Sequence, residues 1–546
     1  MRTGDLPVRT RRLVAYAAPT VVILAAAVHA LVSHRMPLGD DGLIIQRARD
    51  VLTADHPWLG TWTSASLQSG VDVNNPLPLH FELLAIMAKP FGVVAGSVLG
   101  AALVALIGAL VSVRQGELLG GERGRWAASA ASTVLAWTIG SELLVEPWQP
   151  HNLVLPFLAV LVACASWAGG RSSSAAWAIG LGSTVMGAHL SFSYLVVGLW
   201  VVAAVSYVRV CRSESRRWLR PVWPAGIVLV AAWSQAVIEQ FAAEGEGNLT
   251  RLVRTLGSAA EPIGGALGTR IVAEVVALPP WWLRPSFATS IPATAFSSDG
   301  SLRPEGVPNA VVSVCALGAV VLLLVFCVRR ARREADRVLG PLSLVALWAV
   351  LLSWFTAVRM PVNVLGLAPH QARWLWPVAA VATVAIVGSV LSVASSLPWW
   401  RASVAADGGL AVLAVFAVWA VVPYQIDQGP SATRGANSAV RDLAAQLDSV
   451  ELPGPTLFDA STLRFAEPYS GPLFAVLYGN DQPLRIADEG FVRQLGEGRR
   501  ATGDEQWVLQ IREGQAAVDV ADGEQIIAGV SGPDGQPVAV VLAPAD

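Results

Sequence analysis

Charged residues are scarce in this sequence, since only 14% of its 546 residues are aspartate, glutamate, lysine or arginine. Soluble proteins carry about 25% charged residues, whereas 54% of this chain is hydrophobic and its mean hydropathy is +0.53. The shortage excludes an ordinary water-soluble globular protein and indicates that lipid surrounds much of the surface. A formal net charge of −2 gives no support for binding to nucleic acid, and no basic tract in the sequence suggests it.

Cysteine is almost absent too. The four cysteines, Cys164, Cys211, Cys315 and Cys327, all lie inside or beside apolar segments. None occupies a long polar loop, so the sequence indicates neither a disulfide framework nor a zinc site.

Long apolar runs, in contrast, are abundant. A basic amino terminus precedes the run from Leu13 to Val32, which is long enough to span a bilayer and has no small-residue cleavage site after it. Further crossings are predicted near residues 93–113, 125–141, 151–168, 175–189, 191–208, 220–240, 309–328, 339–357, 372–396 and 405–423. The sequence therefore predicts a mostly α-helical, polytopic protein of about 11 transmembrane helices, or about 12 to 13 if further segments cross.

Arginine predicts the orientation of these helices. With the amino terminus in the cytoplasm, every arginine-rich loop, such as Arg329–Arg337, faces the cytoplasm. This arrangement requires segment 76–91 to lie along the outer face instead of crossing. We therefore expect a multi-pass protein of the cytoplasmic membrane with extracytoplasmic loops at 34–92 and 241–308 and an extracytoplasmic carboxy-terminal tail.

The tail is long enough for a domain of its own, so we predict a transmembrane domain over 1–424 and a small α/β domain over 425–546. Residues 438–450 have helical periodicity, and five short segments have the composition and turn signals of strands. The predicted strands are 456–460, 483–487, 506–512, 524–530 and 537–543.

An adjacent acidic pair, Asp40 and Asp41, follows the first span directly. Asp40 precedes a helical stretch and could simply cap it. Alternatively, one carboxylate acts as a general base, because neighbouring carboxylates raise one another's pKa. The two roles can coexist, and capping by Asp40 would leave Asp41 as the better candidate for the base.

Polar residues at the predicted outer ends of spans form a second candidate group. Arg373 opens a span beside His370, where arginine and aromatic residues either anchor the helix at the interface or bind a lipid phosphate. The same two interpretations apply to Trp148 and His151. His189 interrupts an apolar run, and polar residues inside spans are functional candidates by default, although a hydrogen-bonded core histidine is the alternative.

Taken in order, these motifs resemble those of the integral-membrane C-type (GT-C) glycosyltransferases, which use polyprenyl-phosphate sugars. The chain is most similar to an uncharacterised bacterial branch related to actinobacterial transferases. The matching segments are Gly39-Asp40-Asp41, Gln46–Asp50, the proline turn at 74–85, Pro147–His151, His189, Gly247–Leu249 and RWLWP from Arg373. The branch commonly has His-Pro-Gly-Pro in the proline turn, whereas this chain has Asn75-Pro76-Leu77-Pro78.

The resemblance implies transfer of a sugar, with inversion, from a polyprenyl-phosphate donor to a cell-envelope glycan or lipid acceptor at the outer face of the membrane. Arabinofuranose or mannose is the expected sugar. Asp41 or Asp40 would be the catalytic base. The implied donor-phosphate ligands are Arg373, His370, His80 and Asn75, and the implied substrate-cavity residues are His189, His151, Trp148 and Asn248. No cofactor is required, although relatives with pyrophosphate-linked donors suggest a divalent cation near the acidic pair.

Two other classes of function fit a membrane protein of this kind. A transporter or flippase for a lipid-linked glycan would usually show internal repeats with broken helices in matched halves, and the sequence shows none. A non-catalytic scaffold for envelope assembly would depend on the tail and would need neither aspartate.

Overall fold

The computed structural model of the protein describes residues 8–63, 66, 69–219, 222–243, 245–255, 262–278, 308–361, 369–394, 409, 412–419, 435–463 and 467–545. Among the described residues up to 394, the named elements of regular structure are all helical. They are α1 (Val8–Val32), α2 (Asp40–Asp50), α3 (Leu79–Ile139), α4 (Ser141–Leu144), α5 (Gln149–Asn152), α6 (Val154–Ala168), α7 (Ser173–Ala188), α8 (Ser193–Ser213), α9 (Trp223–Ala242), α10 (Asn248–Thr255), α11 (Gly264–Val276), α12 (Ala310–Arg333), α13 (Leu339–Val358) and α14 (Leu375–Ala394).

Eight helical stretches within the described residues are long and apolar enough to cross a membrane. They are Arg9–Val32, Leu79–Ile139, Gln149–Ala168, Leu190–Ser213, Trp223–Ala242, Ala310–Arg333, Leu339–Val358 and His370–Ser392. The chain is therefore a multi-pass membrane protein. The total of about 11 crossings stays a prediction, because α7 has only 16 residues and most of segment 405–423 lies outside the described residues.

The long helix α3 accounts for two of the predicted crossings. Its 61 residues would extend about 90 Å at 1.5 Å per residue, far more than the hydrocarbon core of a bilayer. Non-helical backbone at Gly92 and again at Gly120 and Gly121 divides it into three segments. The first break separates segment 76–91 from the crossing at 93–113, as the sequence predicts, although its position along the outer face stays a prediction.

At the centre of the bundle is α6, in which every residue is buried. It packs against α3, α7, α8, α13 and α14. Glycine allows the closest approach, because a Cβ atom on Gly108 of α3 would lie 2.4 Å from the backbone nitrogen of Pro156. A helix that is apolar on all sides belongs in an interior, so α6 provides a rigid support for the polar turn that precedes it.

The tail folds into an α/β unit. Its helices and strands are α15 (Ala436–Leu447), β1 (Thr456–Asp459), α16 (Ser470–Gly479), β2 (Leu484–Ile486), α17 (Glu489–Leu495), β3 (Trp507–Glu513), β4 (Gln525–Ser531) and β5 (Pro537–Pro544). The sheet order is β2-β1-β3-β5-β4, in which β1 runs parallel to β2 and β3 while β5 runs antiparallel to β3 and β4. The predicted helix and all five predicted strands are confirmed. The predicted boundary at residues 424 and 425 lies outside the described residues.

The tail packs directly on α2. Met36, Leu38 and Leu43 join the hydrophobic core of the tail, and α16 contacts α2. Gly42 approaches Gly471 so closely that a Cβ atom on Gly42 would lie 2.2 Å from the carbonyl carbon of Gly471. Only glycine leaves room for this contact between the two helices.

A buried ion pair fastens the other end of α2 to the tail. Arg499 donates to both carboxylate oxygens of Asp50, at 2.9 and 2.6 Å, and its guanidinium carbon lies 4.2 Å from the centre of the Tyr478 ring. Arg47 donates to Asp50 at 2.9 Å and to the carbonyl oxygen of Leu495 at 3.0 Å. The tail therefore contacts both ends of the helix that carries the acidic pair.

Candidate active site

The acidic pair lies in the first turn of α2. Gly39, with φ of +52°, is the N-cap residue, and its amide donates to the carbonyl oxygen of Pro468 at 3.2 Å. No side-chain hydrogen bond caps the helix, so the capping interpretation of Asp40 is wrong. The backbone of the tail occupies the place beside Gly39, and the carboxyl group of Asp40 is free for another role.

Asp41 is the buried member of the pair, with only 2% of its surface exposed. Its Oδ2 atom lies 3.6 Å from a guanidinium nitrogen of Arg35, and neither carboxylate oxygen has a hydrogen-bond partner in the described part of the chain. Burial raises the pKa of Asp41 well above its usual range, Glu146 raises it further and Arg35 opposes the shift. A buried carboxylate normally accepts hydrogen bonds, so these two oxygens have unused hydrogen-bonding capacity.

Glu146 is the centre of the charged groups around Asp41. It lies in the turn between α4 and α5, is 4% exposed and has an oxygen 3.8 Å from the guanidinium of Arg35. Arg35 is fixed in turn because it donates to the carbonyl oxygen of Val145 at 2.9 Å. On its other side Glu146 is hydrogen-bonded to Nδ1 of His151. The cation and the imidazole therefore bind the same carboxylate from two directions.

Trp148 links His151 to His370 through ring contacts. The centre of its ring lies 5.1 Å from that of His151, in an edge-to-face contact, and 4.6 Å from that of His370, at a tilt of 60°. Nε2 of His151 is buried without a hydrogen-bond partner among the described residues. These ring contacts position two imidazoles, while Nε2 of His151 makes no hydrogen bond within the described residues.

Arg373 completes the arrangement. Its side chain is fully buried, its guanidinium carbon lies 5.5 Å from the centre of the Trp376 ring, and it interacts electrostatically with Glu146. His370 interacts electrostatically with Arg373, His151 and His189. We refer to these groups together as the acid–base cluster, which comprises Arg35, Asp40, Asp41, Glu142, Glu146, Trp148, His151, His189, His370 and Arg373.

The cluster has an accessible side and an inaccessible one. Asp40 is exposed and Trp148, His189 and His370 are half-buried, whereas Asp41, behind them, is inaccessible to solvent. Protein surrounds Asp40 densely despite its exposure, and this crowding together with Glu146 raises its pKa. Asp40 therefore lies in a recess and not on an open surface. The sequence prediction that the acidic pair, the histidines and Arg373 lie together agrees with this geometry, and their action on a substrate stays a prediction.

Asn75, in contrast, uses its amide group to hold the proline turn. Its Nδ2 atom donates to the hydroxyl oxygen of Thr61 at 2.9 Å and to the carbonyl oxygen of Thr61 at 3.2 Å. Its Oδ1 atom accepts from the amide of Leu190 at 3.1 Å. Asn75 thus positions the chain next to His189, and its predicted contact with a donor phosphate would require these bonds to break.

His80 and Asn248 are also occupied by contacts outside the cluster. His80 is buried, and its Nε2 atom is hydrogen-bonded to the side-chain oxygen of Asn152 at 2.9 Å. Asn248 is 1% exposed and pairs with the backbone of Asn74, accepting from its amide and donating to its carbonyl oxygen, both at 2.9 Å. These contacts hold loops in place, so the structure does not bring either residue into the acid–base cluster.

The tail contributes a further carboxyl group. Glu467 accepts hydrogen bonds from the amides of Tyr469 and Ser470 at the start of α16, the latter at 3.0 Å. Burial raises the pKa of Glu467, and the nearby Asp40 adds to the shift. The recess around Asp40 is therefore bounded in part by the tail.

Sequence reasoning missed the acidic and basic partners that hold the site together, namely Arg35, Glu142, Glu146 and Glu467. Two signals were available. Arg35 is an arginine on the predicted outer side, against the usual distribution, and Glu146 lies five residues before His151 within a turn that already contained candidates.

No group of three or more histidine, cysteine, aspartate or glutamate side chains among the described residues could hold a metal ion. The carboxylates of the cluster face arginines instead, since both Asp41 and Glu146 approach Arg35. The donor set does not fit the divalent cation that the family resemblance suggests.

No protein-family model matches the chain, and no curated protein sequence matches it. Among solved structures, ArnT from Cupriavidus metallidurans bound to undecaprenyl phosphate is similar over 97% of both chains, with 14% identity and a TM-score of 0.55. The oligosaccharyltransferase of Archaeoglobus fulgidus is similar at lower scores. Its apo form gives 13% identity, 90% and 69% coverage of this chain and that one, and a TM-score of 0.38. The form tethered to an acceptor peptide gives 12% identity, coverage of 91% of this chain and 68% of that one, and a TM-score of 0.40.

The likeness to ArnT extends over both the helical bundle and the tail. This protein therefore has the same overall fold as ArnT. The expectation about fold class that came from the sequence is confirmed.

Proposed function

We propose that this protein transfers a sugar from a polyprenyl-phosphate donor to a hydroxyl group of a cell-envelope glycan or lipid. The observation that carries the proposal is Asp41, a buried carboxylate with a raised pKa and two unbonded oxygens, in the recess of a GT-C fold. The lipid-linked donor is supported by the likeness to a structure bound to undecaprenyl phosphate. The recess would open on the outer face of the cytoplasmic membrane, with the amino terminus in the cytoplasm.

In the proposed reaction Asp41 takes the proton of the acceptor hydroxyl group. The acceptor oxygen forms a bond to the anomeric carbon while the bond from that carbon to the phosphate oxygen breaks, and the phosphate leaves with the electron pair. A single displacement inverts the anomeric centre. Base catalysis of this kind requires a group whose pKa lies near the working pH, and burial brings Asp41 towards that range.

The leaving phosphate would bind on the other side of Glu146, where Arg373 and His370 lie. A fixed, buried guanidinium replaces the water that would otherwise stabilise the developing charge, and it needs no reorganisation during the reaction. Glu146 interacts electrostatically with both Asp41 and Arg373. It would therefore separate the base from the leaving group, so that the acceptor enters beside Asp40 and Asp41, next to the tail.

The experiment that tests this function uses the purified full-length protein in proteoliposomes. Polyprenyl-phosphate mannose and polyprenyl-phosphate arabinofuranose, each labelled in the sugar, are supplied with envelope glycans as acceptors. We expect label to appear in the glycan and free polyprenyl phosphate to accumulate. Movement of intact donor across the bilayer without its consumption would instead identify a flippase, and neither event would favour a scaffold.

The transfer rate should rise with pH, with a midpoint above the ordinary aspartate pKa of about 4. The base must be ionised, and the raised pKa of Asp41 keeps it protonated in mild acid. For the same reason the folded protein binds this proton more tightly than the unfolded chain. The contribution of Asp41 to stability is therefore largest in acid and is lost as the pH rises through the folded pKa.

Initial rates measured in the same proteoliposomes between about pH 4 and pH 8 would check this expectation. Asp40→Asn should move the midpoint to lower pH because it removes a negative neighbour of Asp41. The exposed Glu451 provides the matched control, and Glu451→Gln should leave the midpoint unchanged. A parental midpoint at the ordinary aspartate value would contradict the assignment of Asp41 as the base.

A further inference from the structure

A second recess lies where the helical bundle, α2 and the tail meet. Its wall includes neither Arg373 nor His370, the proposed ligands of the donor phosphate. Its volume is about 440 Å³, which is within the usual range for ligand sites. The wall includes Leu31 and His34 at the end of α1, Arg49 at the end of α2, and Phe91 and Gly92 at the first break in α3. We call this recess the basic pocket.

The charge in the wall has one sign. Arg35, His34 and Arg49 line the pocket, and no aspartate or glutamate does. Arg35 is already paired with Asp41 and Glu146, whereas Arg49 is half-buried and has no hydrogen bond or ion pair in the described part of the chain. A Cβ atom on Gly479 would lie 2.5 Å from a guanidinium nitrogen of Arg49, so the close approach of α16 helps to fix this side chain.

The backbone adds to the positive potential. Gly92 has φ of +73°, which interrupts α3, and the next helical segment begins at Val93 within the pocket wall. The first amides of a helical segment have no acceptor within the helix, and they carry the positive end of its dipole. Anions, phosphate groups above all, bind at such positions.

The same wall is partly apolar. Leu31 and Phe91 lie in it together with Val93, and Phe91 is 54% exposed. An apolar surface beside an arginine suits a molecule that has a phosphate group at one end and hydrocarbon at the other. A small soluble anion would use only the polar part.

We propose that the basic pocket binds a phosphate group through Arg49 and the amides after Gly92, and that the apolar wall holds the chains of an anionic phospholipid. The proposal is independent of the sugar-transfer function because it concerns binding alone. Arg35 lies between the pocket and Asp41, so a bound phosphate would also add negative charge behind the acid–base cluster.

The test uses the purified full-length protein, with phosphatidic acid as the probe and phosphatidylcholine as the uncharged reference, and retained lipid is measured by native mass spectrometry. The parental protein should prefer phosphatidic acid, and Arg49→Gln should weaken this binding about tenfold or more, because a charge-assisted contact is lost. Arg441→Gln removes an exposed arginine of the tail and serves as the matched control.

Two further arms complete the experiment. Displacement of phosphatidic acid by millimolar inorganic phosphate would identify a soluble phosphate as the natural ligand, and resistance to it would identify the lipid. Arg49→Lys keeps the charge and most of the packing, so it replaces R49Q if that variant is unstable, and its binding should be intermediate because lysine cannot engage two oxygens at once. Binding by R49Q and R49K equal to that of R441Q would overturn the proposal.

Discussion

Replacing Asp41 by asparagine should lower the rate of sugar transfer by about 10²- to 10⁴-fold, the usual contribution of a general base. The amide has nearly the same shape as the carboxyl group but cannot take a proton. The substitution leaves the proposed phosphate contacts on the Arg373 side unchanged, so the loss should appear in kcat with little change in KM. The measurement is the rate of label transfer in proteoliposomes at saturating donor.

Stability separates this role from a structural one. Asp41 is buried with no hydrogen bond to its oxygens in the described part of the chain, and burying an ionised carboxylate in this way costs free energy. Asp41→Asn should therefore unfold at the same temperature as the parental protein or a higher one. Asp40→Asn should retain more activity because Asp40 is the exposed member of the pair. Transfer at the parental rate by Asp41→Asn would exclude the proposed base.

Breaking the buried pair between Asp50 and Arg499 should destabilise the protein by about 3–5 kcal/mol, the usual cost of leaving one buried charge without its partner. Asp50 and Arg499 are 4% and 1% exposed, and they are joined by two hydrogen bonds. Asp50→Asn leaves the buried guanidinium of Arg499 with only Asp55, at 3.8 Å, as an acidic partner. Arg499→Gln leaves Asp50 its ion pair with Arg47 and should therefore cost less than Asp50→Asn. Because this pair fastens α2 to the tail, the loss should also reduce transfer by Asp41.

A denaturant titration in detergent would measure the change, with the double variant completing the cycle. The double variant should lose less than the sum of the single changes, because both members of the pair are gone. The neighbouring Arg500 offers a close control, since its ion pairs with Glu489 and Glu497 are exposed. Arg500→Gln should change stability little. Equal effects of Arg499→Gln and Arg500→Gln would show that burial of the pair is unimportant.

The local structure of the tail could be predicted because its signals are local. Each strand from β1 to β5 lies in a short segment that is rich in β-branched, aliphatic or aromatic residues and is flanked by turn residues, and that composition is visible without any long-range information. The docking of the tail could not be predicted in the same way. It depends on Gly42 meeting Gly471, and a glycine in a sequence does not say which distant backbone it allows to approach.

The sequence singled out several members of the acid–base cluster because they break the pattern of their surroundings, and their role in a reaction stays a prediction. Asp41, His189 and Arg373 are polar groups in or beside apolar segments, and the structure brings them into one cluster. Glu146 was missed because it lies in a polar turn, where a carboxylate is expected and does not indicate a function. Glu146 is central to the cluster because it pairs with Arg35 and is hydrogen-bonded to His151, and only folding brings Arg35 to it.

Asn75 and Asn248 are the opposite case, and their contact with a substrate stays a prediction. Both are polar residues in loops that match family motifs, and both were expected to face the substrate. In the structure their amides are used to bind backbone groups of Leu190 and Asn74. A side-chain amide satisfies a turn as readily as it binds a ligand, and sequence alone does not distinguish the two uses.

The contact between α2 and the tail has a consequence for biosynthesis. Asp50 and Arg499 are 449 residues apart, so at the usual speed of translation about 20 to 90 s pass between the appearance of one and that of the other. During that interval the helix that carries the acidic pair has no tail against which to pack, and its buried carboxylates face water or lipid headgroups. Ribosomal stalling or proteolysis late in the chain would therefore leave α2 and its acidic pair without the tail on which they pack.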